Sequence, residues 1–160
     1  MNFRIGQGYD VHKLQEQESL IIGGIKIEHY KGTVAHSDGD VLIHAICDAL
    51  LGAANLRDIG YHFPDTSETF KNIDSKVLLN KTWKLVQKAG FRIANIDTTI
   101  CLEKPKLKDY IEDMKISLAE VLSIPSQDIS IKATTTEKLG FVGEEKGISA
   151  QAVVLIYRQN

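Results

Sequence analysis

From residue 41 to residue 54 the chain is apolar almost all the way round a helical turn, and only His44 and Asp48 break the run. A helix without a polar face is a buried helix. The pattern predicts it over residues 39–54, with Asp38 or Asp40 as its cap and Gly52 near its end. Residues 75–89 predict a second helix, stopped at Gly90. Pro105 opens a predicted third, to about Ser123. Residues 3–12 predict a strand interrupted by Gly6 and Gly8, and residues 20–27 a hairpin turning at Gly23-Gly24, where a tight turn needs positive φ. Residues 91–103, 128–136 and 148–158 predict three more strands, the last apolar enough to be central. Between the first two helices, residues 55–74 turn to Gly, Pro, Asp, Ser and Thr, a long loop of the kind that is mobile or functional. Strands and helices interleave. The expected fold is therefore α+β, an α/β sandwich: one mixed sheet with three helices on one face and an N-terminal β-hairpin, in one domain over residues 1–160.

Composition narrows the class. The 160 residues are 43% hydrophobic and 25% charged, which suits a soluble globular chain with a real core. A formal net charge of -2 provides no basic field for nucleic acid or acidic membranes. No apolar stretch approaches the roughly 20 residues that span a bilayer, and the N-terminus has no signal-peptide pattern. Cys47 and Cys101 lie in apolar runs without a C-x-x-C partner, as reduced thiols do. The expectation is a cytoplasmic protein that binds neither nucleic acid nor membrane.

Four polar clusters could carry chemistry. Asp10 and His12 stand at i and i+2 on a strand, so their side chains share a face. They are half of a metal site, although two polar residues at an exposed strand end explain the same spacing. Asp40, His44 and Asp48 fall at i, i+4 and i+8 along the apolar helix. A polar group buried without a partner costs on the order of 1–3 kcal/mol, so this stripe must face a partner, water or a metal. Either His44 and Asp48 bond to each other, or His44 is a third ligand beside Asp10 and His12, with a nearby carboxylate orienting an imidazole. His36-Ser37-Asp38-Gly39-Asp40 precedes the helix, where free N–H groups favour phosphate. A capping loop explains Ser37, Asp38 and Asp40 equally, but not His36. Last, the run from Lys132 through Thr134-Thr135-Thr136-Glu137 to Gly140-Phe141 ends a strand in hydroxyls and a hard carboxylate ligand.

Six motifs in order carry a resemblance: Gly6-Gln7-Gly8-Tyr9-Asp10-Val11-His12, Ala35-His36-Ser37-Asp38-Gly39-Asp40, Leu50-Leu51-Gly52-Ala53-Ala54, Asp58-Ile59-Gly60, Phe63-Pro64-Asp65-Thr66, and Lys132-Ala133-Thr134-Thr135-Thr136-Glu137-Lys138-Leu139-Gly140-Phe141. Over nearly its whole length the chain resembles the 2-C-methyl-D-erythritol 2,4-cyclodiphosphate synthases of the non-mevalonate isoprenoid pathway. The resemblance implies a phosphorus–oxygen lyase. It would cyclise 4-diphosphocytidyl-2-C-methyl-D-erythritol 2-phosphate and release CMP. It implies Zn²⁺ on Asp10, His12 and His44, with a fourth position for a phosphate oxygen, and Mg²⁺ or Mn²⁺ bridging the diphosphate with Glu137 as protein ligand. His36 and Thr135 match the catalytic, transition-state-stabilising positions, and Ser37 would assist at the 2-phosphate. Asp58, Ile59 and Gly60 would bind the methylerythritol, under a lid-like loop of Phe63, Pro64, Asp65, Thr66 and Ser67. Leu102, Glu103, Lys104, Pro105, Lys106, Leu107 and Lys108 would hold the cytidine with Thr134, and Thr136 and Phe141 complete the implied substrate contacts. The implied assembly is a homotrimer with sites between subunits. Many members carry Arg or Lys shortly after the Gly-Phe-x-Gly turn. Here Glu144 and Glu145 come first and Lys146 next, so Glu144 receives no phosphate role. Two other functions fit the same residues: a zinc phosphohydrolase of a nucleotide-linked substrate, with Asp48 or Asp58 as its base, and a non-catalytic trimeric metal- or isoprenoid-binding module.

Overall fold

The computed structural model describes residues 2–64 and 73–158. Seven strands run in chain order: β1 Phe3–Glu16, β2 Leu20–Ile22, β3 Ile25–Ile27, β4 Lys31–Val34, β5 Phe91–Cys101, β6 Ile129–Thr134 and β7 Gly147–Arg158. The helices are α1 Val41–Ala53, α2 Ile59–His62, α3 Ser75–Lys88, α4 Ile111–Leu122 and α5 Gly140–Gly143. Five strands form one sheet in the order β4-β1-β7-β5-β6, with β7 at its centre as its apolar run predicted. Only the β5–β6 pair is parallel. The sheet is thus mixed, as expected. Strands β2 and β3 form the separate hairpin, and Gly23 and Gly24 adopt φ of 61° and 76° at its turn.

Burial is one-sided. On β7, Ile148, Ala150, Ala152, Val154 and Ile156 face the core, while Gln151, Val153 and Tyr157 between them are exposed. Helix α1 lies on the core face and is buried along nearly its whole length. Its approach is set by two glycines. A Cβ at Gly6 would lie 1.9 Å from the Ala49 carbonyl oxygen, and one at Gly8 would lie 1.9 Å from that of Ala45. Gly6 and Gly8 therefore do not interrupt β1, which is continuous. They let the helix backbone rest directly on the strand, with Ala45, Ala49 and Ala53 as its small face.

Five elements differ from the sequence expectation: β1, β4, α2, α4 and the short α5, which stands where a glycine turn was expected. The first strand continues to Glu16 because residues 13–16 pair with β4, a short Gly-containing strand that no periodicity marks. The long polar loop holds the short helix α2, capped by Asp58, whose Oδ1 accepts from the Tyr61 N–H at 2.8 Å. The third helix begins at Ile111 and not at Pro105. Buried Leu102 and Leu107 hold the intervening chain against the core, and a 3-10 turn at Lys108–Tyr110 follows before α4 buries Met114, Leu118 and Leu122. Cys47 and Cys101 are both free thiols, and burial pushes Cys47 up to about 12, so it is a core group and not a nucleophile. Among the described residues no helix is long and apolar enough to cross a membrane.

Candidate metal centre

Because α1 runs closely over β1, the face of β1 that carries Gly6 and Gly8 under the helix presents Asp10 and His12 beside His44. His12 Nε2 lies 3.0 Å from His44 Nδ1, and the Asp10 Oδ2 lies 3.1 Å from the first and 3.0 Å from the second. Three electron-rich atoms so close are held by a proton or by a cation. Two imidazole nitrogens and one carboxylate oxygen are a donor set of the kind that holds a divalent ion while leaving a position free. Among the described residues, Asp10, His12 and His44 form a group whose ligand atoms lie close enough to hold one metal ion. The residues present therefore fit the metal that the resemblance implies.

The electrostatics follow from the triad. Burial disfavours the charge on Asp10, but hydrogen bonds and charge from His12 and His44 outweigh it and hold the carboxyl far below its usual range. Burial acts against the His44 cation too, and Asp10, with more distant Asp40 and Asp38, raises its pKa nonetheless.

The expected Asp40–His44–Asp48 stripe divides into three separate tasks. Asp40 is fully buried and caps α1, accepting from Ile43 N and Gly23 N at 3.0 Å and from Gly24 N at 2.6 Å. It ties the helix to the β2–β3 turn. Burial raises its pKa to about 6 even against those three N–H groups. Asp48 does not bond to His44. It accepts from Ile59 N at 2.8 Å and anchors α2. The carboxylate near His44 Nε2 is instead Asp38, acting through Ser75: His44 Nε2 lies 3.1 Å from both Ser37 Oγ and Ser75 Oγ, and Ser75 Oγ donates to Asp38 Oδ1 at 2.5 Å. Sequence spacing had no signal for Ser75, which looks like an ordinary first residue of a helix behind the Asp74 cap.

These shifts fix a pH response. A raised folded-state pKa adds stability below the group's ordinary value, and that stability is lost as pH rises through the folded value. Asp40 and His44 are both raised, so metal-free protein is expected to melt higher at about pH 5.5 than at about pH 7.5. Zinc-loaded protein should reverse the order, because protons compete with the metal for the histidines. Calorimetry on chelator-treated and zinc-loaded samples checks this; a metal-free melting temperature that climbs with pH would contradict it.

The remaining expected residues fall into two pockets. His36, Ser37, Ile59, Gly60 and Phe63 line a cavity of about 330 Å³ with Asp10, His12, His44 and Asp48. Asp58 sits beside it as the α2 cap, and Pro64 follows, exposed. Asp65, Thr66 and Ser67 lie outside the described residues. Leu102, Pro105, Lys106, Leu107, Lys108, Thr134 and Thr135 line a second cavity of about 300 Å³. Glu103 and Lys104 belong to the same loop, and Lys104 pairs with Glu145 at 3.1 Å. Thr136 Oγ1 donates to Leu139 O at 2.7 Å, Glu137 is exposed at φ 53°, and the Phe141 ring packs near Gly147. Lys146 pairs with Glu144. The two pockets do not meet within the chain. Strand β6 lies three strands from β1, about 14 Å at ordinary strand spacing.

Comparison with known proteins places this arrangement in a family. The chain is 63% identical over 158 residues to a Bacteroides fragilis protein named 2-C-methyl-D-erythritol 2,4-cyclodiphosphate synthase, covering 99% of each chain. It is 52% identical over 158 residues to the Cytophaga hutchinsonii protein of the same name, again covering 99% of each. Among solved structures it matches the Plasmodium falciparum IspF CDP complex at 36% identity and a TM-score of 0.88, over 99% of this chain and 98% of that one. It also matches the bifunctional IspDF of Campylobacter jejuni at 42% identity and a TM-score of 0.95, over 99% of this chain and 43% of that one. The YgbB family profile matches residues 3–157, and the chain belongs to the YgbB family.

Proposed function

We propose that this chain is a phosphorus–oxygen lyase of isoprenoid biosynthesis. It converts 4-diphosphocytidyl-2-C-methyl-D-erythritol 2-phosphate to 2-C-methyl-D-erythritol 2,4-cyclodiphosphate and releases CMP. One observation carries this reading: Asp10, His12 and His44 converge in a pocket edged by His36 and Ser37, in a chain 63% identical along its length to a protein of that name. An oxygen of the 2-phosphate bonds to the diphosphate phosphorus nearer the sugar alcohol. The bond from that phosphorus to the bridging oxygen breaks, and its electron pair leaves with CMP.

No protein nucleophile is needed, so the chain acts by positioning and by neutralising charge. Ser37 and His36 donate to phosphate oxygens at the pocket edge. Asp58, Ile59 and Gly60 hold the methylerythritol through the start of α2, and residues 63–67 supply further substrate contacts. The 102–108 loop and Thr134 hold the cytidine, and Thr135 donates to the oxygens that gain charge. Asp10, His12 and His44 would hold Zn²⁺, which would supply Lewis acidity, and Glu137 would hold Mg²⁺ or Mn²⁺, which would neutralise diphosphate charge. The compartment we assign is the cytoplasm, in keeping with two free thiols.

A homotrimer brings the two half-sites together. The separation of the pockets within one chain supports it, since Thr135 must come from a neighbour to reach the pocket of Asp10, His12 and His44. So does the outer sheet face, where Phe3, Ile5, Tyr9, Val11, Val153 and Tyr157 are all exposed and Ile5 is 73% so.

Phosphorus NMR of chain incubated with substrate should show CMP and the cyclic diphosphate. CMP with an open-chain phosphate would convert the reading to hydrolysis. Thr135→Ala should lower turnover by roughly 10²–10³-fold, the loss of one oxyanion donor, with zinc content unchanged. Co-expressing Thr135→Ala with His44→Ala should restore activity in about a quarter of the sites, because random trimers pair the intact halves. Absence of any recovery would place both halves in one chain.

A further inference from the structure

We infer that Ser75 and Asp38 are positioning residues of the metal centre: together they hold the His44 proton on Nε2 and leave Nδ1 bare toward Asp10 and His12. Asp38 accepts three donors. Its Oδ1 receives Ser75 Oγ at 2.5 Å and Asp40 N at 3.2 Å, and its Oδ2 receives Ser75 N at 2.9 Å. A hydroxyl has one hydrogen. Placed anywhere but toward Asp38, it would leave a hydroxyl oxygen and a carboxylate oxygen 2.5 Å apart with nothing between them. The Ser75 oxygen is therefore an acceptor toward His44, and Nε2, at 3.1 Å, must donate. Ser37 Oγ, also 3.1 Å from Nε2, takes the Gly39 N–H at 3.2 Å and can share the same imidazole proton.

The arrangement opposes a local pull. Asp10 Oδ2 lies 3.0 Å from His44 Nδ1, and a neutral imidazole facing that carboxylate alone would carry its proton on Nδ1. That tautomer has no lone pair there for a metal. Ser75 is fully buried, and it is the first residue of α3, two residues after Ile73, which lines the pocket. The start of α3 is thereby bonded to a ligand's second nitrogen, a contact that sets ring orientation and ligand basicity.

The ligand role of Nδ1 rests on the metal reading above, but the tautomer is measurable without metal or substrate. Long-range nitrogen–proton NMR on metal-free protein, at a pH where the spectrum itself shows a neutral imidazole, should place the His44 proton on Nε2. Ser75→Ala should move it to Nδ1 and weaken zinc binding roughly 10–100-fold in chelator competition, with the melting profile still cooperative. A wild-type proton on Nδ1 overturns the inference, as does a Ser75→Ala protein that binds zinc like wild type. If Ser75→Ala does not fold, the wild-type spectrum alone decides. A chain that fails to cyclise substrate while showing the Nε2 tautomer would count against the proposed reaction and leave this inference standing.

Discussion

His44→Ala is expected to lose bound zinc and CMP release together. The substitution leaves Asp10 and His12 as a two-ligand site and removes the link to Ser37 and Ser75. Outer partners of such ligands are each worth about 10–100-fold in metal affinity, and loss of the ligand itself should exceed that. The fold should survive. Alanine favours helix, and the segment on either side of residue 44 is packed by Val41, Leu42, Ile43, Ala45 and Ile46, all fully buried. Metal analysis after dialysis, phosphorus NMR of product and a thermal melt on one preparation test this. A variant with full activity and no retained zinc would sink the metal assignment.

Gly8→Ala is expected to damage both stability and site through a single methyl group. The new Cβ would lie 1.9 Å from the Ala45 carbonyl oxygen and 2.8 Å from Ala49 N. Both are backbone atoms of α1, so no side chain can turn aside. The helix must lift from β1 by an ångström or more, along a contact that buries Ala45, Ala49 and Ile46. Overpacking that displaces a core backbone costs about 3 kcal/mol or more, on the order of 10 °C in melting temperature for a chain of this size. His44 sits on the lifted helix while Asp10 and His12 stay on the strand, so the surviving folded protein should also bind zinc more weakly. Gly52→Ala is the control: a Cβ there meets nothing within 4 Å, and the melting temperature should hold. Equal melting temperatures for Gly8→Ala and wild type would refute the close helix–strand contact.

Local patterns carried what local energetics decide. The apolar run of α1, its Asp40 cap, the Gly23-Gly24 turn and the alternation on β7 each match an element where it stands, because period, capping and allowed φ are properties of neighbours in the chain. The Asp10/His12 pair on one strand face was legible for the same reason. The third helix was misplaced because proline preference at a helix start was outweighed by burial of Leu102 and Leu107. Strand β4 had no signal, because its partner is fifteen or more residues away in β1 and pairing alone creates it.

The sequence by itself therefore determined most of the elements, the ordered motifs and two of the three residues of the metal triad. Only the tertiary structure decided which polar residue meets which. It sent Asp40 to the hairpin turn and Asp48 to α2, recruited Ser75 from a helix start to His44, and kept Thr135 out of the first pocket. These are contacts between segments distant in sequence. They depend on how closely α1 rests on β1 and on which strands lie between β1 and β6, and neither quantity is encoded in the period of any one segment.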